Sequence, residues 1–466
     1  MKKFACYASR LACPAMLAIH LSSVAHAQPV LNDPNLTTVT AASGLTQPVN
    51  LTFLGTDDML VLEKASGQVK RVVSGVVTGV ALDLAVNSAS ERGLLGVAKH
   101  PNFPATPYIY LFWSESTTGA DSTNASEAPL MGNRVDRFLW NGSTLTLDQN
   151  ILRLRSFQLD AGQPARGNHD GGMIRFGPDG KLYVMVGDTG RRGFTQNNLT
   201  GPFPDDQFGG PEPDDAHTTG VIFRLNDDGT APSDNPFFNV TNFANMNKVF
   251  GYGVRNGFGL SFDPETGRLW NQEHGDDTFD EINIVRPGYN GGWVQFMGPV
   301  SRISQFREIE IARAGGLQQL RWPPTNIATH PIIGFKRLWR LKTSVYTDPV
   351  FSWKFAVAPG TIHFVNTASL GKGYENSMLV SASRTTMLQG YLMKLDLNSA
   401  RNGFIFSDPR LADGVADNLD KFEPTESESL LLGSNFGVVT AMETSPDGRV
   451  FLVSLDRGLI YELKRL

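Results

Sequence analysis

Histidine and arginine stand beside glycine in two short segments, and both side chains are suited to proton or hydride chemistry. His169 lies in Arg166-Gly167-Asn168-His169-Asp170-Gly171-Gly172, and Arg255 lies in Val254-Arg255-Asn256-Gly257. An imidazole acts as a base when a neighbouring group fixes its tautomer, and a guanidinium stabilises negative charge that develops on an oxygen. The alternatives are an ordinary loop histidine and a salt bridge at the rim of a cavity.

An acidic segment follows, Glu273-His274-Gly275-Asp276-Asp277-Thr278-Phe279-Asp280-Glu281. Carboxylate and carbonyl oxygens on an irregular loop suit Ca²⁺, although the spacing is not that of an EF-hand and a solvated acidic loop is the alternative. The chain contains neither a His-Glu-x-x-His nor a Gly-x-Ser-x-Gly signature. The run from Gly251 to Gly257 is not a dinucleotide fingerprint, because its third glycine comes one residue late and no helical pattern follows.

The elements that must position these residues are indicated by a turn that recurs six times, each time before a short β-rich run. Proline presets φ at such turns, and Asp-Gly tolerates the positive φ that follows, so each turn predicts a hairpin. The six turns are Gly55-Thr56-Asp57-Asp58, Phe103-Pro104-Ala105-Thr106, Gly177-Pro178-Asp179-Gly180, Asp263-Pro264-Glu265-Thr266-Gly267, Leu370-Gly371-Lys372-Gly373 and Ser445-Pro446-Asp447-Gly448.

Repeated units of this kind predict an all-β fold, a six-bladed β-propeller of four-stranded antiparallel blades with long inter-strand loops. We expect residues 28–466 to form a single propeller domain with insertions at about 200–215 and 312–342. The alternative is a pair of β-sandwich domains, which the sequence disfavours because no linker separates two halves.

Residues 1–27 are expected to be a signal peptide, with Lys2 and Lys3 before an apolar run and Ala25-His26-Ala27 at the cleavage site. The predicted location is therefore the periplasm or the outside of the cell. No later apolar run is long enough to predict a membrane span. A formal net charge of −5 disfavours a nucleic-acid partner, and 41% hydrophobic with 19% charged residues is typical of a folded protein.

Ten segments, in this order along the chain, resemble the soluble quinoprotein glucose/sorbosone dehydrogenase family, also called aldose sugar dehydrogenases. The resemblance runs from about Gly44 to the C-terminus and implies a six-bladed propeller, in agreement with the six turns. The segments are Glu91-Arg92-Gly93-Leu94-Leu95-Gly96, His100-Pro101-Asn102-Phe103, His169-Asp170-Gly171-Gly172, Gly177-Pro178-Asp179-Gly180-Lys181-Leu182-Tyr183, Gly187-Asp188, Arg255-Asn256, Glu273-His274-Gly275, Asp280-Glu281-Ile282-Asn283, Asp348-Pro349-Val350-Phe351-Ser352-Trp353 and Ser445-Pro446-Asp447-Gly448.

The resemblance also implies an activity, the oxidation of an aldose sugar or related alcohol by hydride transfer to pyrroloquinoline quinone. His169 matches the family's general base, which takes a proton from the anomeric hydroxyl of the sugar. Arg255 matches the residue that polarises the quinone oxygens, and Asn256 matches a cofactor contact. Glu91 occupies a position that approaches the substrate or the cofactor. The external electron acceptor is not indicated by the sequence.

The carbonyl oxygens of Gly275 and Asp276 fall where the family coordinates Ca²⁺, with Asp276 in place of the family's usual proline. Arg384 stands where the family has a cofactor-binding lysine. The family's pair of arginines before the last Pro-Asp-Gly is missing, because residues 438–442 read Val-Val-Thr-Ala-Met. Two guanidinium partners of the cofactor's three carboxylates are therefore absent from this stretch.

Two other functions compete with the dehydrogenase. The missing arginine pair favours a propeller that has lost redox function and binds a glycan or a protein ligand. A metal-dependent hydrolase or lactonase is the third hypothesis, and it requires inward-facing carboxylates that converge on a central metal.

Overall fold

The computed structural model describes residues 27–157, 167–190, 218–240, 244–313 and 324–466. The predicted signal peptide lies outside these ranges except for Ala27, and so does the whole of the predicted insertion at 200–215. Among the described helices, none has both the length and the apolar character needed to cross a membrane.

The described part of the chain is built mainly of strands. The first fourteen, in chain order, are β1 Val30–Leu31, β2 Leu36–Ala42, β3 Pro48–Gly55, β4 Asp58–Glu63, β5 Gln68–Val73, β6 Val76–Asp83, β7 Leu94–Lys99, β8 Tyr108–Ser114, β9 Asn133–Trp140, β10 Leu145–Leu154, β11 Met173–Phe176, β12 Leu182–Val186, β13 Val221–Leu225 and β14 Val249–Tyr252.

The strands of the second half include several of only two residues. They are β15 Gly259–Phe262, β16 Leu269–Glu273, β17 Thr278–Val285, β18 Tyr289–Asn290, β19 Val345–Tyr346, β20 Phe351–Phe355, β21 Pro359–Val365, β22 Ser377–Ala382, β23 Leu392–Leu397, β24 Phe404–Ile405, β25 Val415–Ala416, β26 Leu431–Ser434, β27 Val439–Thr444, β28 Val450–Ser454 and β29 Leu459–Arg465.

Two α-helices, α1 Ile303–Arg313 and α2 Pro331–Arg337, lie between β18 and β19. Proline opens α2 at a position where its missing N–H costs nothing, and the His330 side chain accepts a hydrogen bond from the N–H of Ile332. Short 3₁₀ helices cover Ala125–Glu127, Ala244–Lys248, Val300–Arg302, Pro324–Asn326, Ala368–Leu370, Pro409–Leu411 and Glu428–Leu430.

The described strands pair into six sheets. In sheet order they are β3-β4-β5-β6, β7-β8-β9-β10, β11-β12-β13-β14-β18-β19, β15-β16-β17-β20-β25, β21-β22-β23-β26-β1 with β24 also on β23, and β27-β28-β29-β2. Each of the six turns found in the sequence joins the first two strands of a different sheet. The turn chemistry therefore marks the same place in every sheet.

The first strand of each sheet is the inner one, and β3, β7, β11, β15, β21 and β27 contact one another in a closed ring. The N-terminal strands close this ring, since β2 pairs with β29 of the last sheet and β1 pairs with β26 of the sheet before it. The prediction of an all-β propeller is confirmed.

The hydrophobic core lies between neighbouring sheets rather than at the centre of the ring. Apolar side chains of each sheet pack against the next, and six such clusters lead once around the molecule. Trp270 and Trp353, both 0% exposed, fill the cluster between the fourth and fifth sheets. Because the strands bury both faces against neighbours, the inner strands are fixed in position and can hold short loops at their ends.

Two details of the prediction are wrong. Four strands are found in the first, second and sixth sheets, but the others have five or six, because long connections add short strands such as β18, β19 and β25 at their outer edges. Several of these added pairs are parallel rather than antiparallel. The described part of the predicted insertion at 312–342 includes the end of α1 and all of α2, for which the sequence pattern gave no prediction.

Candidate active site

A cavity of about 280 Å³ opens at the end of the ring where the inner strands begin, which we call the site mouth. Inner strands start and second strands end at this mouth, because the two are antiparallel neighbours. All seven side chains or loop residues predicted from the sequence line this cavity: Glu91, His169, Arg255, Asn256, Gly275, Asp276 and Arg384. His169 and Arg255 are therefore brought to the same mouth, as the dehydrogenase hypothesis requires.

His169 is held in one orientation by a buried carboxylate. Its Nδ1 lies 2.6 Å from Oδ1 of Asp188, and Oδ2 of Asp188 accepts the indole N–H of Trp293 at 2.9 Å. Burial raises the pKa of Asp188, but the His169 imidazole, Arg255 and the Trp293 indole together lower it more, below its usual value. An ionised carboxylate at Nδ1 keeps the ring proton there, which leaves Nε2 as a proton acceptor.

The backbone around His169 is fixed as firmly as its ring. Its φ is +58°, a left-handed conformation that costs a non-glycine residue about 1 kcal/mol or more. Its N–H donates to Oε2 of Glu91 at 2.7 Å, and the same oxygen accepts from Nδ2 of Asn256 at 3.0 Å. Glu91 thus ties together the loops that precede β7, β11 and β15.

Arg255 is 4% exposed and is held by the acidic loop that follows β16. One terminal nitrogen donates to the carbonyl of His274 at 2.9 Å, and the other lies 3.2 Å from Oδ1 of Asp276. The guanidinium carbon lies 5.5 Å from the ring centre of Trp293, the residue that also holds Asp188. The positive charge beside the cavity is consequently fixed relative to the histidine–aspartate pair.

His274 also lines the cavity, but its hydrogen bond gives it a structural role. Its Nε2 lies 2.5 Å from the carbonyl oxygen of Pro359, so Nε2 carries the ring proton. Burial lowers the pKa of His274 to about 3, which keeps the ring neutral. His274 therefore positions the loop at Arg255 and adds no positive charge to the site.

The predicted calcium loop is folded by hydrogen bonds within the protein. The N–H of Gly275 donates to Oδ1 of Asp280 at 2.9 Å, and Oδ2 of Asp280 accepts from the N–H groups of Val357 and Ala358. Burial raises the pKa of Asp280 to about 6, against the effect of these three N–H donors. The carbonyl oxygen of Asp276, one of the two predicted metal ligands, accepts a hydrogen bond from Nζ of Lys421 at 3.0 Å.

The rest of the cavity wall includes two cations and two aromatic rings, Arg384, Lys421, Phe258 and Phe422. Arg384 follows β22, and its guanidinium carbon lies 5.6 Å from the ring centre of Phe422. Lys421 approaches the same ring to 5.4 Å. Among the described residues, positions 438–442 contribute no side chain to the lining. Val439 and Ala441 are instead buried in the hydrophobic core, so the missing arginine pair is not replaced from β27.

The family model for glucose/sorbosone dehydrogenases matches residues 45–300. This protein belongs to the glucose/sorbosone dehydrogenase family. The resemblance found in the sequence is therefore confirmed. Quinoprotein glucose dehydrogenase B of Acinetobacter calcoaceticus is 33% identical over 268 residues, which are 55% of this chain and 52% of that protein. Aldose sugar dehydrogenase YliI of Escherichia coli (strain K12) is 28% identical over 253 residues, 53% of this chain and 59% of that protein.

Solved structures of the family share the propeller fold. The apo-form of the soluble aldose sugar dehydrogenase from Escherichia coli superposes with a TM-score of 0.62 at 21% identity, covering 92% of this chain and 100% of that one. The PQQ-bound form of aldose sugar dehydrogenase from Streptomyces coelicolor gives a TM-score of 0.56 at 22% identity, covering 92% and 98%. The sequence matches span between 52% and 60% of the length of the first curated relatives.

Sequence reasoning missed three members of the site. Asp188 was recognised only as part of a family segment. It lies just after β12, the second strand of its hairpin, and its carboxylate contacts the His169 imidazole at the site mouth. A carboxylate just after the second strand of a hairpin is the signal that could have identified it. Trp293 and Lys421 carried no such signal, because each belongs to a long connection that no repeat predicts.

Proposed function

We propose that this member of the glucose/sorbosone dehydrogenase family is an exported dehydrogenase that oxidises an aldose sugar or related alcohol, with pyrroloquinoline quinone as hydride acceptor. The observation that carries the proposal is the pairing of His169 with Asp188 beside the guanidinium of Arg255, at the wall of one cavity. Oxidation of a carbinol removes a proton and a hydride. A base with a fixed tautomer accepts the proton, and a fixed cation stabilises the negative charge that develops on the hydride acceptor.

The cavity offers cationic partners for the quinone. Pyrroloquinoline quinone carries three carboxylates, and the lining contains Arg255, Arg384 and Lys421 as well as the acidic residues Glu91, Asp276 and Asp280. Guanidinium and ammonium groups form charge-assisted hydrogen bonds with carboxylates. When bound, the quinone accepts the hydride at a quinone carbon, and the protein supplies orientation, a base and positive charge. Calcium fits less well, because Lys421 already donates to the Asp276 carbonyl, and no step below depends on it.

Each residue of the site has a separate role, which depends on its position. His169 accepts the proton of the anomeric hydroxyl at Nε2, while Asp188 holds the other ring proton and stabilises the imidazolium that forms. Arg255 lowers the energy of negative charge that develops on the acceptor oxygens. Glu91 and Asn256 hold the three loops at the distances that bring these groups together.

A reconstitution experiment tests the proposal. Purified protein is mixed with pyrroloquinoline quinone, with Ca²⁺ or with EDTA, and reduction of an artificial dye is followed with a panel of aldoses and alcohols. We expect quinone binding and dye reduction with at least one sugar. If the protein neither binds the quinone nor reduces the dye in Ca²⁺ or in EDTA, the proposed activity is refuted.

A second candidate is a propeller that binds a glycan or a protein ligand without redox chemistry, and the absence of the arginine pair from the cavity wall supports it. Hedgehog-interacting protein of Homo sapiens is 27% identical over 266 residues, 53% of this chain and 33% of that protein. Two results together would favour this function: the wild-type protein does not bind the quinone, and it binds the same glycans on an array as the His169→Ala variant does.

A further inference from the structure

Lys421 lies on the connection after β25, and its ammonium contacts the loop in which the sequence predicted a calcium site. Nζ lies 3.0 Å from the carbonyl oxygen of Asp276 and 2.7 Å from Oδ1 of Asp277. The side chain is 25% exposed and lines the cavity beside Arg384 and Phe422. The ammonium thus lies at the boundary between the acidic loop and the site.

Two cations of the protein pair with carboxylates of the acidic loop. Carboxylate oxygens of Asp276, Asp277 and Glu310 lie within 4.8 Å of one another, an arrangement that needs positive charge nearby. Arg255 pairs with Asp276 at 3.2 Å, and Lys421 pairs with Asp277 at 2.7 Å. Oε1 of Glu310 accepts the N–H of Asp277 at 3.0 Å, so it also serves to fold the loop.

A calcium ion and this ammonium compete for the same oxygen. Calcium binds oxygen ligands at about 2.3–2.6 Å, so an ion on the Asp276 carbonyl would lie within about 5.5 Å of Lys421 Nζ. Like charges at this distance, partly shielded from water, repel each other. The ammonium at this carbonyl therefore weakens the binding of a metal ion to the loop.

We propose that Lys421 supplies the positive charge at this loop in place of a divalent cation, so that a planar polycarboxylate binds in the cavity without calcium. The inference rests on the proposed function as far as the quinone is the ligand. Lys421, Arg255 and Arg384 all line the cavity, and Lys421 and Arg255 would be shared between the loop carboxylates and those of the quinone.

The first experiment measures quinone binding, independently of turnover. Isothermal titration calorimetry is run with the wild-type protein, Lys421→Met and Lys421→Arg, in EDTA and in Ca²⁺. We expect the wild-type protein and Lys421→Arg to bind equally in both buffers. Lys421→Met should bind at least tenfold more weakly in EDTA, and Ca²⁺ should restore part of the loss. A tenfold loss of wild-type binding in EDTA, or full binding by Lys421→Met in EDTA, would overturn the proposal.

Lys394 provides a matched control at a distance from the cavity. Its Nζ lies 2.6 Å from Oδ1 of Asp396 and 5.3 Å from the ring centre of Tyr374, and the side chain is 21% exposed. The contacts of Lys421 are nearly the same, with an aspartate at 2.7 Å and an aromatic ring at 5.4 Å. Lys394→Met should bind the quinone as the wild-type protein does in both buffers, and a loss there would show that the effect is general.

The second experiment omits the quinone, so it separates this inference from the proposed function. Ca²⁺ alone is titrated into each protein. Removal of the ammonium takes one positive charge and one hydrogen-bond donor away from the Asp276 carbonyl and the Asp277 carboxylate, so Lys421→Met should bind Ca²⁺ at least tenfold more tightly than the wild-type protein or Lys394→Met. Equal affinity in all three would refute the role of Lys421, whatever the quinone does. If the wild-type protein binds no quinone, the proposed function is refuted, but the effect of Lys421 on Ca²⁺ binding is still tested.

Discussion

The two ends of the propeller ring contain the same kinds of residue and arrange them differently. At the far mouth, where the inner strands end, a cavity of about 380 Å³ is lined by His363, Arg175 and Glu443 among others. It is larger than the cavity of about 280 Å³ at the site mouth. Size and residue types therefore do not identify the site.

The difference is in the partners. At the far mouth Arg175 pairs with Glu443 at 2.6 Å, and Nε2 of His363 lies 2.8 Å from the hydroxyl oxygen of Thr444. At the site mouth His169 has a buried carboxylate at Nδ1, and three cations line the wall. A carboxylate prepares an imidazole to accept a proton, whereas a hydroxyl does not stabilise the charged ring in the same way.

The largest expected difference between the two mouths is the change in kcat when the imidazole of each is removed. General bases contribute about 10²- to 10⁴-fold to rates, so His169→Ala should lower kcat of the quinone-loaded protein by about 10³-fold. The matched variant at the far mouth, His363→Ala, should change kcat by less than about twofold. Dye reduction at saturating sugar measures both. Equal losses in the two variants would mean that His169 has no special part in the reaction.

Removing the charge behind the imidazole is the next largest effect. Asp188→Asn should lower kcat by about 10²-fold with little change in quinone affinity, because it disturbs the tautomer of His169 without touching the cavity wall. Calorimetric titration of the quinone and single-turnover kinetics separate these two quantities. At the far mouth, Glu443→Gln removes the carboxylate of an ion pair and should leave both unchanged. Parallel loss of affinity and kcat in Asp188→Asn would indicate a general disruption instead.

The two regions should also respond to pH in opposite directions. Next to Asp280 of the site mouth, burial raises the pKa of two facing carboxyls, Glu273 and Glu281, above the ordinary value of 4.5, that of Glu281 to about 8. The folded protein then holds a proton that the unfolded chain has lost, so the free energy of unfolding falls as the pH rises through about 4.5 to 8. At the far mouth, burial and Arg175 lower the pKa of His363 from 6.5 to about 4, so stability falls as the pH drops through about 6.5 to 4.

Two substitutions test this opposition. Glu281→Gln and His363→Gln should each flatten their own part of the pH dependence, by up to about 1.4 kcal/mol per pH unit. Glutamine suits position 281. In the wild-type protein Nδ2 of Asn283 donates to Glu281, and Oδ1 of Asn283 has no hydrogen-bond partner among the described residues. If the amide of Asn283 flips, this Oδ1 can accept a hydrogen bond from the N–H of the new glutamine. Urea unfolding between pH 4 and 8 gives the curves. Curves that stay parallel to the wild type would assign the dependence to other groups.

The smallest expected effect is at the ion pair of the far mouth. Arg175 and Glu443 are about one fifth to one quarter exposed, so solvent screens their attraction. Arg175→Met should lower the free energy of unfolding by about 0.5–1 kcal/mol and leave kcat unchanged, as measured by urea unfolding and dye reduction. A loss of activity would show that the two mouths are coupled through the ring.

Much of the site was predictable because its residues stand at fixed places relative to the hairpins. His169 precedes β11, Arg255 precedes β15 and Gly275 follows β16, so the repeat that predicts the strands also brings these residues to one end. The extra outer strands, α1 and α2 were not predictable in this way. They arise in long connections whose short segments gain regular structure only by packing against the sheets.

By itself, the sequence determined the all-β propeller, the family and the loops that carry His169, Arg255 and the acidic segment, because turn residues and strand patterns act over a few neighbouring positions. Only the tertiary structure decided which carboxylate meets His169 and which cation meets Asp276. Lys421 and Asp276 are 145 residues apart in the chain. Contacts over such separations depend on how the closed ring brings distant loops together, and no local pattern records them.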